Sequence, residues 1–210
     1  MQRLGFFITS AAVGAVLVAA TAFAASKFGA DSAREAAVSV PQITAPQSNA
    51  RQWYPQGRYP TLALPGGREE TVRSVLNVRS AMKYGDFIWD EEGVPDGPVW
   101  VRADLDKQII SVFRGGHEIG TAVLLYGADS KPTPAGVFPV LQKDADYHSR
   151  TYDAPMPFML RLTDDFVAIH ASDVRAMAAT HGCIGVPMEF ARKLFDQMQI
   201  GDEVFVLKTA

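Results

Sequence analysis

From Pro98 to the C-terminus, glycines, prolines and polar pairs cut the chain into short apolar runs. This pattern limits the possible folds more than any other feature. Val99-Trp100-Val101, Gln108 to Phe113, His117 to Tyr126, Gly136 to Leu141, Pro157 to Leu162, Phe166 to His170 and Val204 to Leu207 are short and rich in β-branched and aromatic residues. Such runs between turn signals read as strands. Arg114-Gly115-Gly116 supplies a hairpin connection. Only Met188 to Met198 carries a helical stripe, with Phe190, Leu194, Phe195 and Met198 on one face and Gly201 closing it. The expectation is a mainly β fold with a few helices, a mostly antiparallel β-sandwich.

Three segments precede it. Met1-Gln2-Arg3 gives a positive start, and Leu4 through Ala25 contains no charged residue. That is long enough to cross a bilayer as a helix. It also ends in Ala22-Phe23-Ala24-Ala25-Ser26, with the small-residue spacing of a cleavage site. Residues 1–25 therefore read as a signal peptide or a membrane anchor; either way the remainder is exported, and the uncleaved form would be membrane-associated. Residues 26–66 are rich in Ala, Ser, Pro, Gln and Gly, with Pro41, Pro46, Pro55, Pro60 and Pro65 at short intervals, which predicts a flexible linker. Over Arg68 to Tyr84, the spacing of Val72, Val75, Leu76 and Met82, with Glu69 and Glu70 in the first turn and Gly85 as a stop, predicts a short helix. Residues 67–97 are thus expected as a helix and connecting segment packed on a domain spanning 98–210.

The net charge of −3 is spread over interspersed acidic and basic residues, so the chain offers no basic field for nucleic acid. Export changes the meaning of the single cysteine, Cys183. It cannot form an intramolecular disulfide, and a free thiol in an oxidising compartment is a liability unless it is used or buried. It lies in Thr180-His181-Gly182-Cys183, downstream of His170, which ends the apolar run Phe166 to Ile169. A thiol becomes a strong nucleophile as thiolate, and a histidine within reach supplies the base. No acidic residue stands out to orient that base, so a backbone carbonyl has to serve. His-x-Cys is a cramped ligand spacing and no second cysteine exists, which argues against zinc. His117 and His148 stand in polar, turn-like surroundings and are expected at the surface. Asp129 to Phe138, with two prolines and a glycine, reads as a rigid turn entering a strand. Asp144 to Pro157, holding Tyr147, His148, Tyr152 and Met156, reads as a loop on that scaffold.

The segment from about Val99 to Leu207 resembles the L,D-transpeptidase catalytic domain, the YkuD-type, ErfK/YbiS-like group. His170, a nine-residue spacer from Ala171 to Ala179, and Thr180-His181-Gly182-Cys183 match its signature, with a spacer shorter than in much of the family. Pro132 to Phe138, Ala154 to Met159 and Val167 to Ala171 match accompanying segments in the same order. The resemblance implies peptide acyl transfer on peptidoglycan stem peptides in the periplasm. Cys183 would attack the carbonyl of the third stem residue and expel the terminal D-alanine. His170 would be the base, held by a main-chain carbonyl near Ala171. His181 and the N–H groups of Gly182 and Cys183 would line the oxyanion hole. Thr180, Ala171, Tyr152, Met156 and Phe158 would face the substrate. No metal or organic cofactor is implied. Two alternatives share the scaffold: an L,D-carboxypeptidase, and a degenerate, non-catalytic peptidoglycan-binding domain. One departure stands out, since the family usually has an arginine two residues after the cysteine and this chain has Gly185. Arg175 in the spacer is one way to return a guanidinium to the region.

Overall fold

The computed structural model describes residues 51–209. The expected signal or anchor (1–25) and residues 26–50 of the expected linker lie outside them. An eight-stranded sheet forms the frame. Its main path runs β1 (Arg51–Trp53), β4 (Ser74–Leu76), β8 (His117–Val123), β7 (Ile109–Arg114), β6 (Val99–Asp104), β16 (Glu203–Leu207), β9 (Gly136–Pro139), and β5 (Phe87–Trp89) also pairs with β8. A second sheet runs β10 (Gln142–Asp144), β13 (Met159–Arg161), β14 (Ala168–Ala171), β15 (Ile184–Val186). Two ribbons, β2 (Thr61–Leu64) with β3 (Arg68–Thr71) and β11 (His148–Ser149) with β12 (Ala154–Pro155), and one α-helix, α1 (Met188–Gln197), complete the unit. Among the described residues no helix is long and apolar enough to cross a membrane. Most pairings are antiparallel, as the short runs suggested; β4–β8, β6–β16 and β14–β15 are parallel.

The main core gathers Val101, Ala103, Ile110 and Val112 of the large sheet, Leu160, Ile169, Ile184 and Val186 of the small one, and Phe190 and Leu194 of α1. Phe190 meets the edge of Trp89 at 5.4 Å between ring centroids. Gly120 makes that possible, because a Cβ there would lie 2.3 Å from the Trp89 ring. The opposite face of the large sheet is buried as well. Trp100 stacks on Phe113 at 4.1 Å, and Leu64 and Val72 cover them with Phe205. Strands buried on both faces read as unbroken apolar runs, as in Val204-Phe205-Val206. Lys143 closes the far end of α1 by donating from Nζ to the Phe195 carbonyl at 2.7 Å and to that of Met198.

The helix expected over Arg68–Tyr84 is absent: its residues form β3, β4 and an irregular stretch. The expected linker also ends early, since β1 and β2 fall inside 26–66 and the 3₁₀ turn Pro65–Gly67 straddles its end. Gly66 and Gly67 take φ of 75° and 71°, turning Thr61–Leu64 back on Arg68–Thr71 as a hairpin. Val72 and Leu76 are buried, but against strands distant in sequence rather than along one helix face. Four apolar residues at mixed spacing do not separate those two outcomes.

His117 is a second correction. It is 7% exposed at the start of β8, not at the surface. Arg51 Nη1 donates to Ser74 Oγ at 3.1 Å, and Ser74 Oγ lies 2.9 Å from His117 Nδ1, with Trp53 edge-on at 5.1 Å. Strands β1 and β4 cover the histidine, and no local pattern around Gly115-Gly116 reveals that. His148 is exposed as expected, with Nε2 2.9 Å from Asp153 Oδ1.

Candidate active site

Strands β14 and β15 bring the histidine and the cysteine together. They pair in parallel, Ile169 opposite Ile184 and His170 opposite Gly185. Ile169 and Ile184 point into the core at 1% and 0% exposure. Strand alternation therefore turns Ala168, His170 and Gly185 to the other face, where Cys183, just ahead of β15, packs with Ala168. There, His170 and Cys183 line one cavity of about 150 Å³ with Tyr152, Met156, Thr180 and His181. Cys183 also borders a neighbouring cavity of about 160 Å³ lined by Lys131, Tyr147, Arg150, Tyr152, Asp165 and Phe166, among others.

His170 is fixed by its neighbour. Nδ1 lies 2.8 Å from the Ala171 carbonyl, with Ser172 Oγ at 3.4 Å on the same edge. A carbonyl only accepts, so Nδ1 carries the proton and Nε2 keeps its lone pair. Burial holds the ring pKa below the usual histidine value, although the Ala171 bond pulls the other way. The imidazole is accordingly neutral at pH 7 and able to accept a proton. A backbone carbonyl is the partner that the sequence left as the only choice.

Cys183 is half-buried, and its thiol donates weakly to the Phe166 carbonyl at 3.6 Å. Burial pushes its pKa up, while the Ala168 N–H and the Lys131 charge pull it down and Asp165 pushes it up again. The thiol thus rests protonated at pH 7, and its activation requires transfer of that proton. Phe166, which supplies the carbonyl, sits at φ 67°, a conformation rare for a side chain of its size.

The turn before Cys183 is pinned from several sides. Thr180 Oγ1 donates to the Cys183 carbonyl, and the Thr180 N–H donates to Tyr126 at 3.0 Å. Gly182 takes φ 102°, which favours glycine. Because β15 begins only at Ile184, the N–H groups of Gly182 and Cys183 stand outside the ladder. The Pro132-Thr133-Pro134 turn has a defined task. Buried Thr133 accepts from the Gly127 N–H at 2.8 Å, and Gly127 crosses so close that a Cβ on it would lie 2.8 Å from Gly182 Cα. The turn thereby places Lys131 beside the cysteine.

The remaining expected residues divide. Tyr152 and Met156 line the site, and Tyr152 stacks on His181 at 4.5 Å. Ala171 contributes its carbonyl rather than a substrate-facing side chain, being 4% exposed. Phe158 is not brought to the site: it packs on the core and meets Phe195 at 5.9 Å, so its expected substrate contact is corrected. Arg175 is exposed and paired with Asp173 at 3.4 Å and borders neither cavity, so it brings no guanidinium to the site. Lys131, Asp165 and Ser172 were missed. Lys131 lay inside a motif read as a turn, whereas nothing local marks the other two. Among the described residues no cluster of three or more His, Cys, Asp or Glu side chains is placed to hold a metal ion.

No curated protein matches the sequence. Solved structures do match. An L,D-transpeptidase from Stackebrandtia nassauensis aligns over 55% of this chain and 58% of its own, at 20% identity and a TM-score of 0.50. A mutant Enterococcus faecium L,D-transpeptidase aligns over 71% and 74%, at 18% identity and a TM-score of 0.50. These likenesses establish the fold, and the first spans little more than half of the solved protein. The sequence model of the YkuD L,D-transpeptidase catalytic domain matches residues 98–206, just over half of the chain and all of the site strands. The chain belongs to the YkuD family of L,D-transpeptidase catalytic domains.

Proposed function

We propose that this chain catalyses L,D-transpeptidation of peptidoglycan stem peptides through a thioester on Cys183, outside the cytoplasm. The observation that carries this reading is the His170 Nδ1 to Ala171 carbonyl bond at 2.8 Å, which leaves Nε2 bare in a cavity shared with Cys183. His170 Nε2 takes the thiol proton as Sγ attacks the carbonyl carbon of the third stem residue. The N–H groups of Gly182 and Cys183 hold the oxyanion. Collapse breaks the peptide bond, and the departing D-alanine amine receives the proton from His170. An acceptor amine from a second stem then attacks the thioester and gives its proton to His170, and collapse expels the thiolate, which recovers that proton. Cys183 bordering two cavities suits a reaction with a donor and an acceptor. The uncharged run from Leu4 to Ala25 is in keeping with export to where that substrate lies.

The test is acylation. Full-length protein incubated with a carbapenem, whose strained carbonyl accepts a thiol, gains the mass of the drug, and Cys183→Ala does not. Folded wild-type protein without an adduct would overturn the reading. Incubation with purified sacculi then separates new cross-links from shortened stems, the latter marking a carboxypeptidase.

A further inference from the structure

Position 185, two residues after the cysteine, carries no side chain, and the guanidinium of Arg175 is occupied at the surface by Asp173. A thiolate forming at Cys183 in a half-buried site still needs a counter-charge. Two cations border the cavities, Lys131 and Arg150. Only Lys131 passes over Gly182, the residue next to the cysteine. A Cβ built on Gly182 would lie 3.6 Å from Lys131 Cγ and 3.7 Å from Cε, so the lysine stem lies along the glycine. Its far end is tethered too. Nζ donates to the Tyr152 hydroxyl at 3.1 Å and sits 5.6 Å from that ring's centroid, while the ring stacks on His181. Its near end is set by the Thr133 to Gly127 bond already described.

We propose that Lys131 is the positioning cation of this site, its ammonium stabilising the Cys183 thiolate each time that thiolate forms. The inference rests on the acyl-transfer reading above. When His170 takes the thiol proton, the site holds an imidazolium and a thiolate, and the ammonium favours the second. It acts again when the thiolate is expelled from the thioester. Asp165 borders the same cavity and acts in the opposite sense. The other titratable groups facing the thiol are His170, His181, Tyr147 and Tyr152. The lysine is partly solvent-accessible, so its influence is screened by salt.

The experiment measures the rate of Cys183 alkylation by iodoacetamide against pH, by intact mass, on the full chain at low salt. Lys131→Gln should move the profile to higher pH and slow alkylation at pH 7 by about three- to tenfold, since one pKa unit is tenfold in thiolate. Lys131→Arg should restore the wild-type profile, which a loss of packing alone would not. Asp165→Asn should speed alkylation at pH 7, and 0.5 M salt should bring wild type toward Lys131→Gln. An unchanged profile in Lys131→Gln, or an equal shift from Arg150→Gln, would overturn the inference. Carbapenem acylation of the same samples keeps the two readings apart: an adduct with an unchanged profile removes only the role of Lys131, and a shifted profile without any adduct removes only the transpeptidase reading.

Discussion

A Cβ on Gly185 would lie 2.7 Å from Ser172 Oγ and 2.8 Å from Ser172 Cβ. Gly185 is also locked in place by two bonds exchanged with Leu125, at 2.8 and 3.0 Å. Any side chain at 185 therefore displaces Ser172, whose hydroxyl flanks the Nδ1 edge of His170. Glycine at 185 is therefore built into the packing around it. Gly185→Arg, which brings a guanidinium next to the site, should lower carbapenem acylation rather than raise it. Overpacking of this kind costs about 1–3 kcal/mol, so the thermal midpoint should fall as well. A variant that acylates faster at unchanged stability would show that Ser172 yields freely.

His170 rests neutral because burial holds its pKa down. Below that depressed value the imidazole carries a proton and cannot accept one from the thiol. The acylation rate should therefore hold above the ordinary histidine value of about 6.5 and be lost as pH falls through the depressed one. His170→Gln should lose about 10²–10⁴-fold, the range of a general base, with the fold intact by circular dichroism. Retention of more than a tenth of the rate would remove His170 from the mechanism.

Stability has its own pH dependence, centred where β1 and β4 cover the start of β8. Arg51 donates to the Ser74 oxygen and leaves the Ser74 hydroxyl proton free to be donated to His117 Nδ1, which suits an unprotonated ring. Burial, then the charges of Arg51 and Arg73, hold the His117 pKa down. The folded state then binds fewer protons than the unfolded chain, so this contribution is full above about pH 6.5 and is lost as pH falls through the folded value. Glu118, raised by burial, acts in the opposite sense: its folded form favours the proton, and stability is lost as pH rises through its folded value. Comparing His117→Gln with wild type isolates the histidine. The thermal midpoint of wild type should drop more between pH 7.5 and pH 5 than that of the variant. Equal drops would assign the acid sensitivity elsewhere.

Much of the site was legible because its signals are local. Strand periodicity placed Phe166 to His170, and the lone thiol drew attention to Thr180, His181 and Gly182 beside it. The structure departs from the sequence reading where partners are remote. Ser74 and His117 are 43 residues apart, and no local pattern brings β4 over β8. Lys131 looked like one residue of a rigid turn, and its meaning comes from Gly127 crossing Gly182, a close approach between glycines that look ordinary in sequence. Phe158 is expected at the substrate only through the resemblance carried by Ala154 to Met159. Yet its φ of 55° and its N–H bond to Ala145 at 2.9 Å turn it to the core.

Tyr152 borders both cavities and is 43% exposed, so it adds little to the core. It does two separable things: its ring stacks on His181, and its hydroxyl holds Lys131 Nζ. Tyr152→Phe keeps the stack and releases the lysine, and should slow carbapenem acylation by about two- to tenfold, one hydrogen bond of about 0.5–1.5 kcal/mol being involved. Tyr152→Ala removes both and opens the wall between the cavities. An aromatic pair adds about 0.5–1.5 kcal/mol beyond area burial, so this variant should be slower by about tenfold or more. In both, the thermal midpoint should stay within about 2 °C of wild type, as expected for an exposed position. If Tyr152→Ala acylates as fast as Tyr152→Phe, the ring does not order His181, and the hydroxyl alone accounts for the contribution of this residue.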